Sequence, residues 1–186
     1  MHDTALKTGE AFFKCYGEKG CAILDVGSMD VNGTLRTYAP EGSIYTGVDI
    51  SPGPAVDVVI KPGQSLLFES CTFDLAVSTS CFEHDPQFWV TFYEMCRVVK
   101  RGGFIYISMP SNGPVHRHPV DCWRFYPDSA YALAKWISQV DDTVTIDVIE
   151  SFRMSPSRDG WIDQVCVFGK EAYRTRDCSL RKLLAL

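Results

Sequence analysis

A chain of 186 residues, 46% apolar and 22% charged, has the length and balance of one globular domain with a sizeable core. Its net charge of −5, without clustered Lys and Arg, argues against the phosphate-neutralising surface that nucleic-acid binding needs. No apolar run approaches the ~20 residues of a membrane helix, Met1–Glu10 is too polar for a secretion signal, and no like-charge run suggests a membrane-binding face, so a cytoplasmic protein is expected.

The first predicted element is a helix over Thr4–Tyr16, with apolar residues at 5, 6, 12, 13 and 16, broken by Gly17 and Gly20. Ala22–Val26 is a short apolar run with β-branched members, the pattern of a strand buried on both faces. It ends at Gly27, and turn-prone residues follow to Gly33-Thr34, where a short helix to Tyr38 is expected before Pro40 and Gly42 stop it. Strand, glycine turn and helix start together present backbone N–H groups to a ligand. Asp25, near the end of that apolar strand, is costly there unless donors reach it.

Ile44–Ile50 is a second strand, carrying Asp49 22 positions after Gly27. A carboxylate at that distance, on the tip of the neighbouring strand, can accept both hydroxyls of a ribose. A nucleoside pocket is implied, and the spacing suits NAD as well as S-adenosylmethionine (SAM). G-x-G-x-x-G is absent, however: Gly27 is followed by Ser28, Met29, Asp30, Val31 and Asn32, with no basic residue before Arg36, a poor cradle for a pyrophosphate. Ser51-Pro52-Gly53-Pro54 is a rigid turn, Ala55–Ile60 a third strand, and Lys61–Ser65 a polar loop at its end.

Phe73–Ser80 is a fourth strand. A helix is expected from Pro86 through Val99, with an apolar stripe at 88, 89, 92, 95, 96 and 99, Lys100-Arg101 at its C-terminus and Gly102-Gly103 ending it. Phe104–Met109 is a fifth strand. Pro110–Tyr126 has three prolines, one glycine and no steady period, yet holds two histidines, two arginines, an acid and three aromatics. So long a loop in a small domain is usually functional. A helix over about 127–139, strands over Thr143–Glu150 and Trp161–Phe168 around a polar turn, and a tail from Glu171 with a short L-x-x-L-L-A-L helix complete the chain. The last two strands, with no helix between them, suggest an antiparallel hairpin at a sheet edge. The apolar face of the tail helix would cap the core or a second copy of the chain. Eight cysteines stand at 15, 21, 71, 81, 96, 122, 166 and 178 without any C-x-x-C pair, which reads as small reduced core residues rather than a zinc site.

L-D-V-G-S-M-D-V-N-G followed by G-V-D-I resembles motifs I and II of the class I SAM-dependent methyltransferases, with Met29 in place of the usual middle glycine. F-D-L-A-V-S-T-S resembles motif IV, and R-V-V-K-R-G-G-F-I-Y-I-S-M-P the passage into the fifth strand; together the motifs cover about Ile23–Pro110. The resemblance implies one Rossmann-like α/β domain over 1–186, a doubly wound seven-stranded sheet with its last strand reversed and helices on both faces. It implies SAM as cofactor. Asp25, Gly27, Ser28 and Gly33 would then hold the methionine portion, Asp49 and Ile50 the ribose side, and Gln64 with Ser65 the adenine. Ser80 and Cys81 would border the methyl group, and 111–126 would form the substrate side.

Methyl transfer from a sulfonium needs mainly an in-line arrangement, with a base where the acceptor is a hydroxyl. Histidine suits that role. His2 stands at the terminus and is set aside. His84, following strand four, either contacts the acceptor or only helps to cap the helix opened by Pro86. His116, His118 and Asp121 are candidate catalytic groups, and Arg117, Trp123 and Arg124 candidate substrate contacts; the alternative is an internally bonded loop in which Asp121 pairs Arg117 or Arg124. His116, His118 and Asp121 also make a metal set, but no metal is expected. The expected reaction moves a methyl group to an oxygen or nitrogen of a small molecule, such as a sugar, glycan or secondary metabolite. Expected partners are that acceptor and a second copy of the chain, with neither nucleic acid nor membrane. NAD-dependent or aminopropyl-transferring chemistry on the same scaffold, or a non-catalytic SAM-binding module, are the rivals.

Overall fold

Periodic apolar segments find partners on both sides of one sheet. The computed structural model describes residues 3–186, so His2 lies outside the described residues. Strands β1 (Ala22–Val26), β2 (Ile44–Asp49), β3 (Val58–Val59), β4 (Phe73–Thr79), β5 (Val99–Pro110), β6 (Ile146–Arg153) and β7 (Asp163–Lys170) form a seven-stranded sheet in the order β3-β2-β1-β4-β5-β7-β6. The strands from β3 to β5 pair in parallel, whereas β7 runs antiparallel to both β5 and β6. This is a Rossmann-like sheet with the reversed strand inserted at its far end. The chain leaves β1 toward β2 on one side and returns to β4 on the other. The carboxyl ends of β1 and β4 are therefore a topological switch point, where open α/β sheets bind ligands.

Helices α1 (Asp3–Tyr16) and α4 (Leu180–Leu184) cover one face of the sheet, and α2 (Phe88–Val98) and α3 (Asp128–Val140) the other. On the first face Phe12 of α1 stacks on Tyr106 at 5.1 Å and Tyr16 meets Phe104 at 4.7 Å. Full burial of a side chain such as Phe12 stabilises by roughly 1.5–3 kcal/mol. On the second face Phe92 and Met95 of α2 and Leu133 and Ile137 of α3 enter the core with Ile105, Ile107 and Phe168. The sheet is thus the middle of a three-layer sandwich. Among the described residues no helix is long and apolar enough to cross a membrane.

Several expected boundaries shift for local reasons. The third strand shrinks to two residues because Asp57 is held in a turn: its carboxylate accepts from the Gly47 N–H at 2.7 Å and pairs with Arg36. The Gly102-Gly103 pair does not end a helix. Helix α2 passes directly into β5 at Val99, and the glycines lie where the register jumps from Phe73↔Val99 to Leu75↔Phe104. Lys100 and Arg101 consequently sit on a strand, paired with Asp74 and Glu171 at 2.7 and 2.6 Å. Strand β6 begins later than expected because the Asp141 carboxylate ties Thr143 into a turn, and β7 begins after Trp161 because that residue's carbonyl accepts from Ser157 in the preceding turn.

The cysteines depart from expectation at one pair. Cys15 and Cys178 form a disulfide across 163 positions, joining α1 to the segment before α4. Cys21, Cys96 and Cys166 are buried thiols, whereas Cys71 and Cys122 are exposed.

Candidate active site

At the switch point, a cavity of about 670 Å³ opens along the carboxyl ends of β1, β2 and β4, a size that suits a nucleoside-bearing ligand. Gly27, Asp49, Ile50, Gln64, Ser80, Cys81, His84, His116 and His118 line it, so residues far apart in the chain and singled out from the sequence meet around one cavity.

Gly27 ends β1 with φ +78°, and a Cβ there would stand 2.6 Å from the Cys81 sulfur, so only glycine fits. Its N–H and that of Ser28 both donate to the Val48 carbonyl, which folds the turn back over β2. Asp49 sits on the rim. One carboxylate oxygen accepts from the Met29 N–H at 3.2 Å and the other from the Ser51 N–H at 3.3 Å, leaving each oxygen a further lone pair. Met29, where a glycine was the familiar pattern, packs against Gly53 and lines the cavity beside Val31 and Asn32.

Asp25 does not line the cavity. It is 4% exposed, takes the Tyr45 hydroxyl at 2.7 Å on one oxygen, and keeps the other without a partner. Burial raises its pKa to about 7, against the opposing pull of the Tyr45 hydrogen bond and Arg36. Ser28 is likewise turned inward onto Gly47, and the Gly33 N–H is used internally by Asp30 at 2.7 Å. Ser65 is exposed and outside the cavity wall, which at this point consists of Ile60 to Gln64 and Leu66. That segment has no ladder of its own. Glu94 of α2 accepts the Leu66 N–H at 2.6 Å and ties Arg97, which in turn donates to the Leu66 and Phe68 carbonyls.

The opposite wall is built by two segments strapped together. Ser80, with φ +48°, turns β4 into a 3-10 turn, Phe82–His84. The Cys122 N–H donates to the Glu83 carbonyl at 2.7 Å, His84 Nδ1 contacts the Val120 carbonyl at 2.5 Å, and the Trp123 indole N–H donates to the Asp85 carbonyl at 3.0 Å. A carbonyl can only accept, so His84 Nδ1 carries the proton and Nε2 a lone pair. Burial, with His116 and His118 nearby, lowers the His84 pKa despite the Val120 bond. The rings of His84, His116 and His118 lie 4.9 to 5.9 Å apart, and that of His116 also meets Trp161 at 4.9 Å.

Asp121, Arg124, Trp123 and Arg117 are not on the cavity wall. The Arg124 guanidinium grips both Asp121 oxygens at 2.6 and 2.8 Å, the His116 backbone N–H adds a third bond, and these hold the Asp121 carboxyl well below the usual range. Of the two internal pairings open in the sequence, Arg124 is the one formed. Asp121 is thus held ionised, as the partner of Arg124. Trp123 leans edge-on against Phe88 and Trp89, fastening the loop to α2. Arg117 is exposed and forms no ion pair among the described residues.

Sequence reasoning missed Glu83 as a site residue. It is 1% exposed, lines the cavity, and has one carboxylate oxygen without a partner; burial raises its pKa to about 8. The only signal was an acid beside His84 and Asp85 just ahead of Pro86, which is also what a helix cap looks like. Burial pushes the Cys81 thiol up as well, so it stays protonated. Trp161 had no local signal.

The methyltransferase domain family matches residues 24–107. Among curated proteins, an uncharacterized methyltransferase of Mycobacterium tuberculosis is 32% identical over 150 residues, 73% of this chain and 58% of the relative. One of Mycobacterium leprae is 32% identical over 119 residues, 57% of this chain and 44% of its own. The chain thus spans about half the length of the curated relatives it matches. Among solved structures, the Burkholderia thailandensis 1,6-didemethyltoxoflavin-N1-methyltransferase superposes with TM-score 0.69 at 19% identity, covering 91% of this chain and 79% of that one. A putative methyltransferase in complex with the Haloferax volcanii Trm112 activator gives TM-score 0.66 at 16% identity, with 93% and 92% covered. At those identities the likeness speaks for the fold.

Proposed function

We propose that this chain, whose residues 24–107 belong to the class I SAM-dependent methyltransferase family, moves a methyl group to an oxygen or nitrogen of a small molecule. The observation that carries the reading is a single cavity holding a rim carboxylate with spare lone pairs, Asp49, beside the glycine turn at one end and three imidazoles at the other. SAM, when bound, supplies an electrophilic methyl group. Asp49 would accept the ribose hydroxyls, and the backbone from Gly27 to Met29 would face the amino-acid portion. Ile50 and the Ile60–Leu66 wall, with Gln64, would enclose the adenine. The closeness of Gly27 to Cys81, which leaves no room for a Cβ, suits a turn that ligand approaches closely.

On the acceptor side the chain's main task is orientation, which alone can supply several kcal/mol of barrier lowering. His118 is the imidazole best suited to take a proton from the acceptor. Its ring forms no hydrogen bond among the described residues, it lines the cavity, and its exposure lets the proton pass to water. Trp161 and Val120 give that side an apolar plate with imidazole edges around it, which suits a sugar ring or a heterocycle. The Burkholderia enzyme of the same fold is described with a heterocyclic acceptor and S-adenosylhomocysteine bound, which favours an acceptor of that size.

Calorimetry with S-adenosylhomocysteine, followed by transfer of labelled methyl groups into a panel of small hydroxyl and amine compounds, tests the reading. Asp49→Ala should weaken binding about 100-fold, the loss of two charge-assisted hydrogen bonds. His118→Ala should leave binding unchanged and slow transfer about 100-fold. A folded protein that binds neither SAM nor S-adenosylhomocysteine refutes it.

A further inference from the structure

We propose that Glu83, His84 and His116 form a binding site for a divalent first-row transition metal, Zn²⁺ or a metal of like preference, on the acceptor side of the cavity. One ligand atom from each of the three residues lies within 4.8 Å of the other two. His84 Nε2 and a Glu83 carboxylate oxygen are 3.6 Å apart, close to the about 3.4 Å that separates neighbouring ligands around a tetrahedral zinc. His116 has to close the remaining distance, and its side chain, 29% exposed, has room to turn.

Two independent features point to a cation. Glu83 is 1% exposed, yet its Oε2, the oxygen beside the Oε1 that faces His84, has no partner. A buried carboxylate with a bare oxygen is costly, and a bound cation removes that cost. The imidazole of His84 is fixed in the tautomer a metal needs: Nδ1–H points to the Val120 carbonyl, so the lone pair of Nε2 lies on the Glu83 side. Metal-bound histidines almost always donate their other ring N–H to a carbonyl or carboxylate in this way. His116 Nδ1 lies 3.3 Å from the Asp121 carboxylate and 3.5 Å from the Arg124 guanidinium, so both the brace and its partner sit behind this ring. Two imidazoles and one carboxylate favour zinc, iron, cobalt or nickel over magnesium or calcium. Three protein ligands leave a coordination position for solvent or a substrate atom. Resting on the methyl-transfer reading, that position would hold the acceptor hydroxyl or amine. Asp121, held by Arg124, is a supporting brace and not a ligand, in contrast to the set His116, His118 and Asp121 weighed from the sequence.

The test is titration of the chelator-treated 186-residue chain with Co²⁺, without SAM, followed by visible absorption and equilibrium dialysis. One Co²⁺ per chain is expected, with a d–d spectrum of nitrogen and oxygen ligands and displacement by Zn²⁺. His84→Gln, His116→Gln and Glu83→Gln should each weaken uptake at least about tenfold, with circular dichroism of the metal-free variants confirming that they fold. Should any variant fail to fold, the other two and the spectrum of the unaltered protein decide. No uptake at micromolar Co²⁺ or Zn²⁺, uptake indifferent to the folded variants, or a thiolate charge-transfer band marking a cysteine site overturns the proposal. Because no methyl donor is present, failure here leaves the methyl-transfer reading standing, and the converse also holds.

Discussion

Asp25→Asn isolates the energetic consequence of a carboxyl group sealed beneath the glycine turn. The folded pKa of about 7 stands roughly 3 units above the ordinary 3.8, and each unit is worth about 1.4 kcal/mol. Below about pH 4 both folded and unfolded chains hold the proton, and Asp25 brings no pH-dependent penalty. Between about pH 4 and 7 the unfolded chain has released it while the folded chain retains it, so stability falls as pH rises; above about 7 both are ionised and the loss is constant. Its full size is about 4 kcal/mol, undiscounted because the side chain is buried. Asparagine has no such proton. Its oxygen can still accept from Tyr45, while its NH₂ would meet the place of the unpartnered oxygen, a fixed penalty of about 1–3 kcal/mol at every pH. The informative quantity is therefore the change with pH, not the level. Urea unfolding of both proteins at pH 4.5, 6, 7 and 8 should show the variant gaining on the wild type by about 3 kcal/mol across the series, since about 1 kcal/mol is already lost at pH 4.5, or about 1.5 M in midpoint at a slope of about 2 kcal/mol/M. Parallel midpoints across that range would refute the assignment of a neutral buried carboxyl.

Two further outcomes follow from packing and covalent structure. Gly47→Ala would place a methyl group 2.2 Å from the Ala55 carbonyl oxygen and 2.6 Å from Ser28 Oγ, where backbone cannot turn aside; a loss of about 2–3 kcal/mol in urea unfolding is expected, and a neutral result would mean the 51–57 turn is free to move. Cys15→Ser removes a bridge across 163 positions, for which chain entropy sets an upper figure of about 5 kcal/mol, so thermal unfolding of the wild type with and without reductant should differ and the variant should match the reduced protein.

The parts of the fold visible in the sequence are those encoded by local period. Apolar runs at 22–26, 44–49 and 73–79 mark strands, the first and last of them buried on both faces, and the glycine turn between the first two fixes where a ligand can approach. Asp49 was visible for the same reason, since a strand tip and a spacing are local properties. What failed to show was any choice among distant partners. Nothing near Cys15 announces Cys178, and nothing near Glu83 distinguishes a helix cap from a carboxylate lining a cavity. Residue types in the 111–126 loop were legible, but their directions were not: Asp121 and Arg124 spend their charges on each other while His116 and His118 face the cavity. The Gly102-Gly103 pair misled because a helix stop and a bulge in a strand call for the same residue.

The Glu94–Arg97 clamp has a consequence for how this scaffold can diversify. The cleft wall from 60 to 68 is pinned at Leu66 and Phe68 by side chains of a neighbouring helix, and the turn at 61–64 between those pins and β3 is fastened by little beyond its own Gln64 to Lys61 bond. Residues could be inserted or exchanged in that turn without disturbing strand pairing or the anchor beneath it. The outer turn of the half assigned to the adenine can thereby vary while the sheet that carries it stays the same.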